Sequence, residues 1–146
     1  MSSFMEIALE EAKAAASAGE VPVGAVIVRD GKVVSKAHNR VLRDKDPSAH
    51  AEMLAIRLAA KTLGSERLID CDLYVTLEPC AMCATVISFA RLRRLYYGAD
   101  DPKGGGVAHG ARIFSQETCH HSPECYSGMD EQRASQVLKD FFKARR

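Results

Sequence analysis

No stretch of this 146-residue chain is long and apolar enough to span a membrane, and neither sign of charge prevails. With 20 Lys plus Arg against 19 Asp plus Glu, the net charge of +1 gives no whole-chain case for nucleic-acid binding. Any such case must rest on local clusters. A secretion signal is missing from the first residues, where Glu6, Glu10 and Glu11 interrupt the basic-then-apolar pattern that such a signal needs. The expected compartment is therefore the cytoplasm, without membrane association. Internal repeats and low-complexity tracts are absent, which removes solenoids and arrays. Five cysteines, an odd number with two of them in one CxxC, do not make a disulfide scaffold and read as reduced or metal-bound. What is present is a 47% hydrophobic composition, enough to build a single compact domain over residues 1 to 146.

The periodicities give an α/β pattern. Residues 3 to 18 carry Phe4, Ile7, Ala8, Glu11 and Ala15 at helical spacing, with Gly19 as the stop. The β-branched runs 24 to 28 and 33 to 37 are joined through Asp30-Gly31, a pair suited to a type I′ hairpin turn. After a charged stretch from Arg40 to Pro47, Ser48 is the expected N-cap of a helix over residues 49 to 61 that ends near Gly64. His50 and Glu52 then fall in that helix's first turn. Residues 73 to 77 read as a buried strand. Pro79 sets up a helix over 81 to 90, apolar nearly all round, and residues 94 to 98 form another strand. Residues 99 to 128 hold five glycines and two prolines without a clean period and read as loop with one short element. A final helix spans 130 to 144, with Ala134, Val137, Leu138, Phe141 and Phe142 as its apolar positions. The expected architecture is a three-layer α/β/α sandwich.

The chemistry is concentrated in His50-Ala51-Glu52 and Pro79-Cys80-Ala81-Met82-Cys83. Cys80 and Cys83, at i and i+3, share one side of a helix, and Cys80 falls at the helix start where free N–H groups favour a thiolate. Two thiolates and a neutral His50 imidazole balance Zn²⁺ and leave a fourth position for water, whose pKa zinc brings to roughly 7. Glu52 is then free to shuttle protons, provided that the metal sits near the N-terminal end of the helix that carries it. The alternative is a closed structural site in which Cys71, Cys119, Cys125 or a histidine completes four ligands and Glu52 is dispensable.

The combination of HxE with PCxxC resembles the zinc-dependent deaminases of the cytidine and deoxycytidylate deaminase superfamily. Within it, Glu20-Val21-Pro22-Val23-Gly24-Ala25, His38-Asn39-Arg40, residues 46 to 52, residues 73 to 80 and the tail Phe141-Phe142-Lys143-Ala144-Arg145-Arg146 resemble the bacterial tRNA-specific adenosine deaminases. The resemblance covers nearly the whole chain. It implies a mixed five-stranded sheet flanked by helices, a homodimer, one Zn²⁺ per subunit held by His50, Cys80 and Cys83, and conversion of a wobble adenosine in the tRNA anticodon loop to inosine. In that reading Glu52 takes a proton from the water and returns protons to the base. Asn39 hydrogen-bonds the base, the backbone near Ala51 and Glu78 reads its polar edge, and Val23, Leu77 and Pro79 form apolar walls. On residue type alone, Asn39 could equally cap the turn after the second strand, and Val23 and Leu77 could be ordinary core.

Two basic clusters, Arg91-Arg93-Arg94 and Lys139 to Arg146, could grip phosphates or could be solvated surface. Of Phe141 and Phe142, one anchors the last helix and the other is free to stack on a base, a role that we assign to Phe142. Asp101, Lys103, His121, Arg145 and Arg146 are the further candidate RNA contacts. Lys103-Gly104-Gly105-Gly106 lacks P-loop spacing and reads as a turn. Cys119, His120, His121 and Cys125 fit no standard zinc spacing and lie in an irregular loop. A deaminase of free nucleobases or nucleosides, such as guanine or cytosine, would use the same metal chemistry. The aromatic and basic tail favours a polynucleotide, because a free base is better served by a tail that closes over the pocket.

Overall fold

The computed structural model of the chain describes residues 3–145. Its elements in order are α1 (Phe4–Ser17), β1 (Gly24–Arg29), β2 (Lys32–His38), α2 (Ala51–Leu63), β3 (Cys71–Leu77), α3 (Ala81–Phe89), β4 (Arg94–Ala99), β5 (Glu124–Tyr126) and α4 (Glu131–Lys143), with a short 3-10 turn at Ile113–Ser115. The five strands form one sheet in the order β2-β1-β3-β4-β5. β1 pairs antiparallel with both β2 and β3, while β3, β4 and β5 run parallel, so the sheet is mixed. The β1–β2 hairpin turns through Asp30 and Gly31, both at positive φ as a type I′ turn requires.

The alternation of side chains along β1 builds the two cores. Ala25 and Ile27 pack with Ala51, Ala55 and Ala59 of α2 and Ile87 of α3, whereas Val26 and Val28 pack with Met5, Ala8 and Leu9 of α1 and Ala134 of α4. The helices therefore cover both faces of the sheet. Gly24 is the closest approach between layers. A Cβ there would run into the Ala8 carbonyl and the Ala12 amide of α1, so only glycine lets that helix lie this near.

Two boundaries differ from the sequence reading, and each has a local cause. α2 begins at Ala51, not at residue 49, and His50 holds the N-cap position with extended backbone. The expected cap, Ser48, is engaged elsewhere: its N–H and hydroxyl both donate to Asp46 Oδ1, at 2.8 and 2.7 Å, in an Asx turn. The cap is supplied from a distance instead, since Ala51 N–H donates to Asn39 Oδ1 at 2.8 Å. The second difference is that the stretch read as loop with one short element holds two, the 3-10 turn and β5. All three residues of β5 are exposed, so it carries no alternation to detect. It is held by pairing with β4 and by Tyr126, which stacks on Tyr96 at 5.1 Å, which in turn stacks on Tyr74 at 4.5 Å across the sheet.

The register places the site. Ala25 faces Val75 across the β1–β3 pair, so the residues just before β1 meet those at the end of β3. The N-terminus of α2 and the start of α3 open at that same end.

Candidate functional site

His50 caps α2 and Cys80 caps α3, and Cys83 lies one turn into α3. His50 Nδ1 is 3.5 Å from Cys80 Sγ and 3.6 Å from Cys83 Sγ. A tetrahedral zinc with Zn–N of about 2.1 Å and Zn–S of about 2.3 Å sets its nitrogen and sulfur ligands about 3.6 Å apart. Both nitrogen–sulfur distances are thus those that zinc would hold, and all three atoms lie within 4.8 Å of one another. No fourth Asp, Glu, His or Cys joins this group among the described residues. Both thiols sit at the start of a helix, where unpaired N–H groups favour negative charge. A hydrogen bond from the Cys83 side chain, together with the neighbouring His50, pulls the Cys80 thiol down to about 4. Cys83 moves strongly the other way, because its thiol is held protonated by the hydrogen bond to Cys80 and because it is buried.

Glu52, in the first turn of α2, is 4% exposed, and burial pushes its carboxyl up to about 7. That range suits a group that both takes and gives protons near neutrality. His50, Glu52 and Cys80 open into a cavity of about 560 Å³. Its other walls include Val23, Asn39, Leu77, Glu78 and Asp101. Val23 and Leu77 are brought there by the β1–β3 register, at the rim of the core cluster. Asn39 is a cap, though of α2 and not of the turn after β2. Its side-chain oxygen caps α2, and its amide faces the cavity with N–H donors to spare.

The remaining candidates fall around this cavity or away from it. Ala51 is fully buried with its N–H on Asn39, and the Pro79 carbonyl accepts from Gly106 N–H at 2.8 Å, behind the cavity wall. Lys103 is exposed on the turn beyond Asp101. Phe141, not Phe142, lines the cavity, while Phe142 stands edge-on beside it and is 48% exposed. Arg145 lies over the Phe141 ring, 3.5 Å from its centroid, at the cavity wall. Arg146 lies outside the described residues. His121 sits at the opposite end of the sheet, its Nε2–H donating to the Leu92 carbonyl at 2.7 Å. Among the described residues, Cys119, His120, His121 and Cys125 form no three-ligand group.

The Arg91-Arg93-Arg94 cluster is at that far end too. Two of its charges are answered by carboxylates, Arg93 on Asp72 at 3.0 and 2.9 Å and Arg94 on Glu124 at 2.9 Å.

Sequence reasoning gave no role to Glu20, Val21, Val41 and Leu42, which complete the cavity wall. Glu20 is buried and accepts from the N–H groups of Leu42 and Arg43, which fastens the 40–48 turns over the cavity. An acidic residue next to an apolar Val-Pro-Val run was the only available signal.

Comparison with known proteins bears on this geometry. A family profile described as the cytidine and deoxycytidylate deaminase zinc-binding region matches residues 1–99. A protein of Agrobacterium fabrum named tRNA-specific adenosine deaminase is 57% identical over 98% of this chain and 94% of its own length. Its namesake in Aquifex aeolicus is 47% identical over 96% and 92%. A solved structure from work on A-to-I editing by tRNA:A34 deaminases at the wobble position of transfer RNA superposes with a TM-score of 0.91. It is 58% identical and is covered over 98% of its chain and 92% of this one. A guanine deaminase from Bacillus subtilis is more distant, at 32% identity and a TM-score of 0.66, over 97% of this chain and 91% of that one.

Proposed function

From the cytidine and deoxycytidylate deaminase family, to which this chain belongs, we infer a zinc-dependent hydrolase that converts the wobble adenosine of a tRNA anticodon loop to inosine. The observation that carries this reading is the open three-ligand group facing a cavity beside a buried carboxylate. A closed structural zinc site needs a fourth protein ligand. The specific substrate follows from the 57% and 58% identities to tRNA adenosine deaminases over almost the full chain, against 32% to a guanine deaminase.

His50 Nδ1 and the sulfurs of Cys80 and Cys83 would hold one zinc ion per subunit. When bound, zinc supplies an acidified water as nucleophile at neutral pH. The chain's own residues supply the remainder. Glu52, buried beside His50, takes up the proton that water gives up. It passes that proton to N1 of adenine as the oxygen adds to C6, then takes the remaining proton of the new C6–OH and delivers it to the amine, so that the C6–N bond breaks, ammonia leaves and inosine forms. Asn39 directs N–H donors at the base, and Val23 and Leu77 sandwich it between apolar walls that exclude water. The adenine must leave its stack to enter, which a single-stranded anticodon loop permits at small cost.

Phe141 with Arg145 across its ring forms the wall where a neighbouring nucleotide would lie, and Asp101 lines the same opening, with Lys103 on the exposed turn that follows it. We assign the enzyme to the cytoplasm, where tRNA is modified, and read it as a homodimer. On α3, Phe89 is 71% exposed and Met82 is also exposed, an apolar surface of the kind that self-association covers. No helix among the described residues is long and apolar enough to cross a membrane. Ammonia release should be followed with an anticodon stem-loop and, separately, with free adenosine, cytidine and guanine. Turnover of the stem-loop supports this assignment, and turnover of free guanine alone transfers it to nucleobase metabolism.

A further inference from the structure

The side chain of Glu78 is completely buried, yet it is a wall of the cavity only at its edge, because its two carboxylate oxygens turn away into the loop that follows β4. There they collect five donors. Asp101 N–H donates to Oε1 at 3.0 Å, and the N–H groups of Val107, Ala108 and His109 donate to Oε2 at 3.1, 3.0 and 3.1 Å. The fifth is His109 Nδ1, 2.7 Å from Oε1. A carboxylate oxygen can only accept, so Nδ1 carries the proton and donates it.

Residues 101 to 109 are therefore wrapped around one anion. Gly105 packs against the Glu78 carboxylate and Gly106 against the start of α3, and a Cβ at either would collide with them. The loop cannot approach this closely with any other residue at those positions. Asp100 lies near Glu78 and His109, but the Glu78 oxygens are already filled by N–H donors, so these three residues do not make a second cation site.

We propose that His109 is a positioning residue that clamps loop 101–109 onto Glu78 and thereby holds Asp101 at the mouth of the cavity. This role rests on the deaminase reading for its substrate, an RNA loop. The four backbone donors share the carboxylate with the one side-chain donor, and His109 is the only member that can be changed without altering the main chain. Its ring is also the lid over Oε1, the oxygen that receives Asp101 N–H. Without the ring, that oxygen would draw water and the Asp101 amide would open to solvent. Glu78 stands two residues before Cys80, and Gly106 N–H bonds to Pro79 between them, so the same clasp joins the RNA side of the cavity to the metal side.

The test compares the zinc-loaded enzyme with His109→Ala and with His109→Asn, whose side-chain N–H can occupy the place of Nδ1. Amide hydrogen exchange at Asp101, Val107, Ala108 and His109, together with KM and kcat on an anticodon stem-loop, is the readout. The expected result for His109→Ala is faster exchange at those four amides and a KM raised roughly tenfold, with kcat and zinc content held. His109→Asn should restore both. Unchanged exchange in His109→Ala overturns the clamp, and faster exchange with unchanged KM overturns its role in positioning. If the wild-type enzyme does not edit the stem-loop, the functional reading fails by itself, and the exchange comparison still decides whether His109 closes the loop on Glu78.

Discussion

Ala51 donates its backbone N–H to the side-chain oxygen of Asn39 at 2.8 Å, and this bond fixes what Asn39 can offer a substrate. With the oxygen committed to the first turn of α2, only the amide N–H groups remain to face the cavity. In the deaminase reading proposed above, Asn39 would thereby donate to an acceptor on the base, such as a purine ring nitrogen. The same bond sets the helix start that carries Glu52 toward the site.

Asn39→Asp separates these two roles. The carboxylate keeps an oxygen for Ala51 N–H at a helix N-terminus, where negative charge is favoured, so thermal stability should hold. The donors are gone, and kcat/KM should fall roughly 10- to 100-fold. Asn39→Leu should lose about 1 kcal/mol of stability as well. Thermal melts alongside kinetics distinguish the two variants.

Metal content follows the donor set. Cys80→Ser and Cys83→Ser should lose zinc and activity together, while Glu52→Gln should retain zinc and lose kcat by about 10³-fold. In the metal-free site Cys83 stays protonated beside the Cys80 thiolate, and Cys80 raises the pKa of His50. Zinc uptake at neutral pH must therefore release protons, and affinity must weaken as pH falls. Calorimetry in buffers of different ionisation enthalpy counts them.

Phe141 and Phe142 are adjacent in sequence but opposite in consequence. Phe141 is 7% exposed and walls the cavity, so Phe141→Ala should cost about 3 kcal/mol and raise KM. Phe142→Ala, at the surface, should cost no more than about 1 kcal/mol. Denaturant unfolding of the two variants gives the contrast.

The phase of α4 separates this pair. Both phenylalanines extend the apolar pattern begun by Ala134, but Phe141 stands two turns from it and faces inward, whereas Phe142 rotates out. The convergence of His50, Cys80 and Cys83 beside a buried Glu52 was legible because those residue types at that spacing are what a zinc site requires. The hairpin was legible because Asp30-Gly31 is dictated by turn geometry. The true start of α2 was not, since its cap comes from Asn39, twelve positions upstream. Loop 101–109 was hidden for a related reason. Its order derives from a carboxylate on another element, which leaves no periodic trace in a glycine-rich segment.

Glu78 gives the acid side of the stability profile. Burial alone raises its carboxyl, but the hydrogen bonds from Asp101, His109 and Val107 outweigh that effect and hold it below the usual carboxylate range. A pKa depressed on folding adds stability that is present above the unfolded value, about 4.3, and is lost as pH falls through the folded value. Glu78→Gln should lose about 3 kcal/mol at pH 7 and show a shallower further loss in acid than the wild type. Unfolding curves from pH 7 to pH 3 make the comparison.

The most direct test of the account is sequencing-based detection of inosine in an anticodon stem-loop with a wobble adenosine, using the zinc-loaded enzyme and Glu52→Ala. Conversion at that position by the wild type, lost in a Glu52→Ala protein that still holds zinc, is the predicted result. An unconverted stem-loop, or equal conversion by the variant, would contradict it.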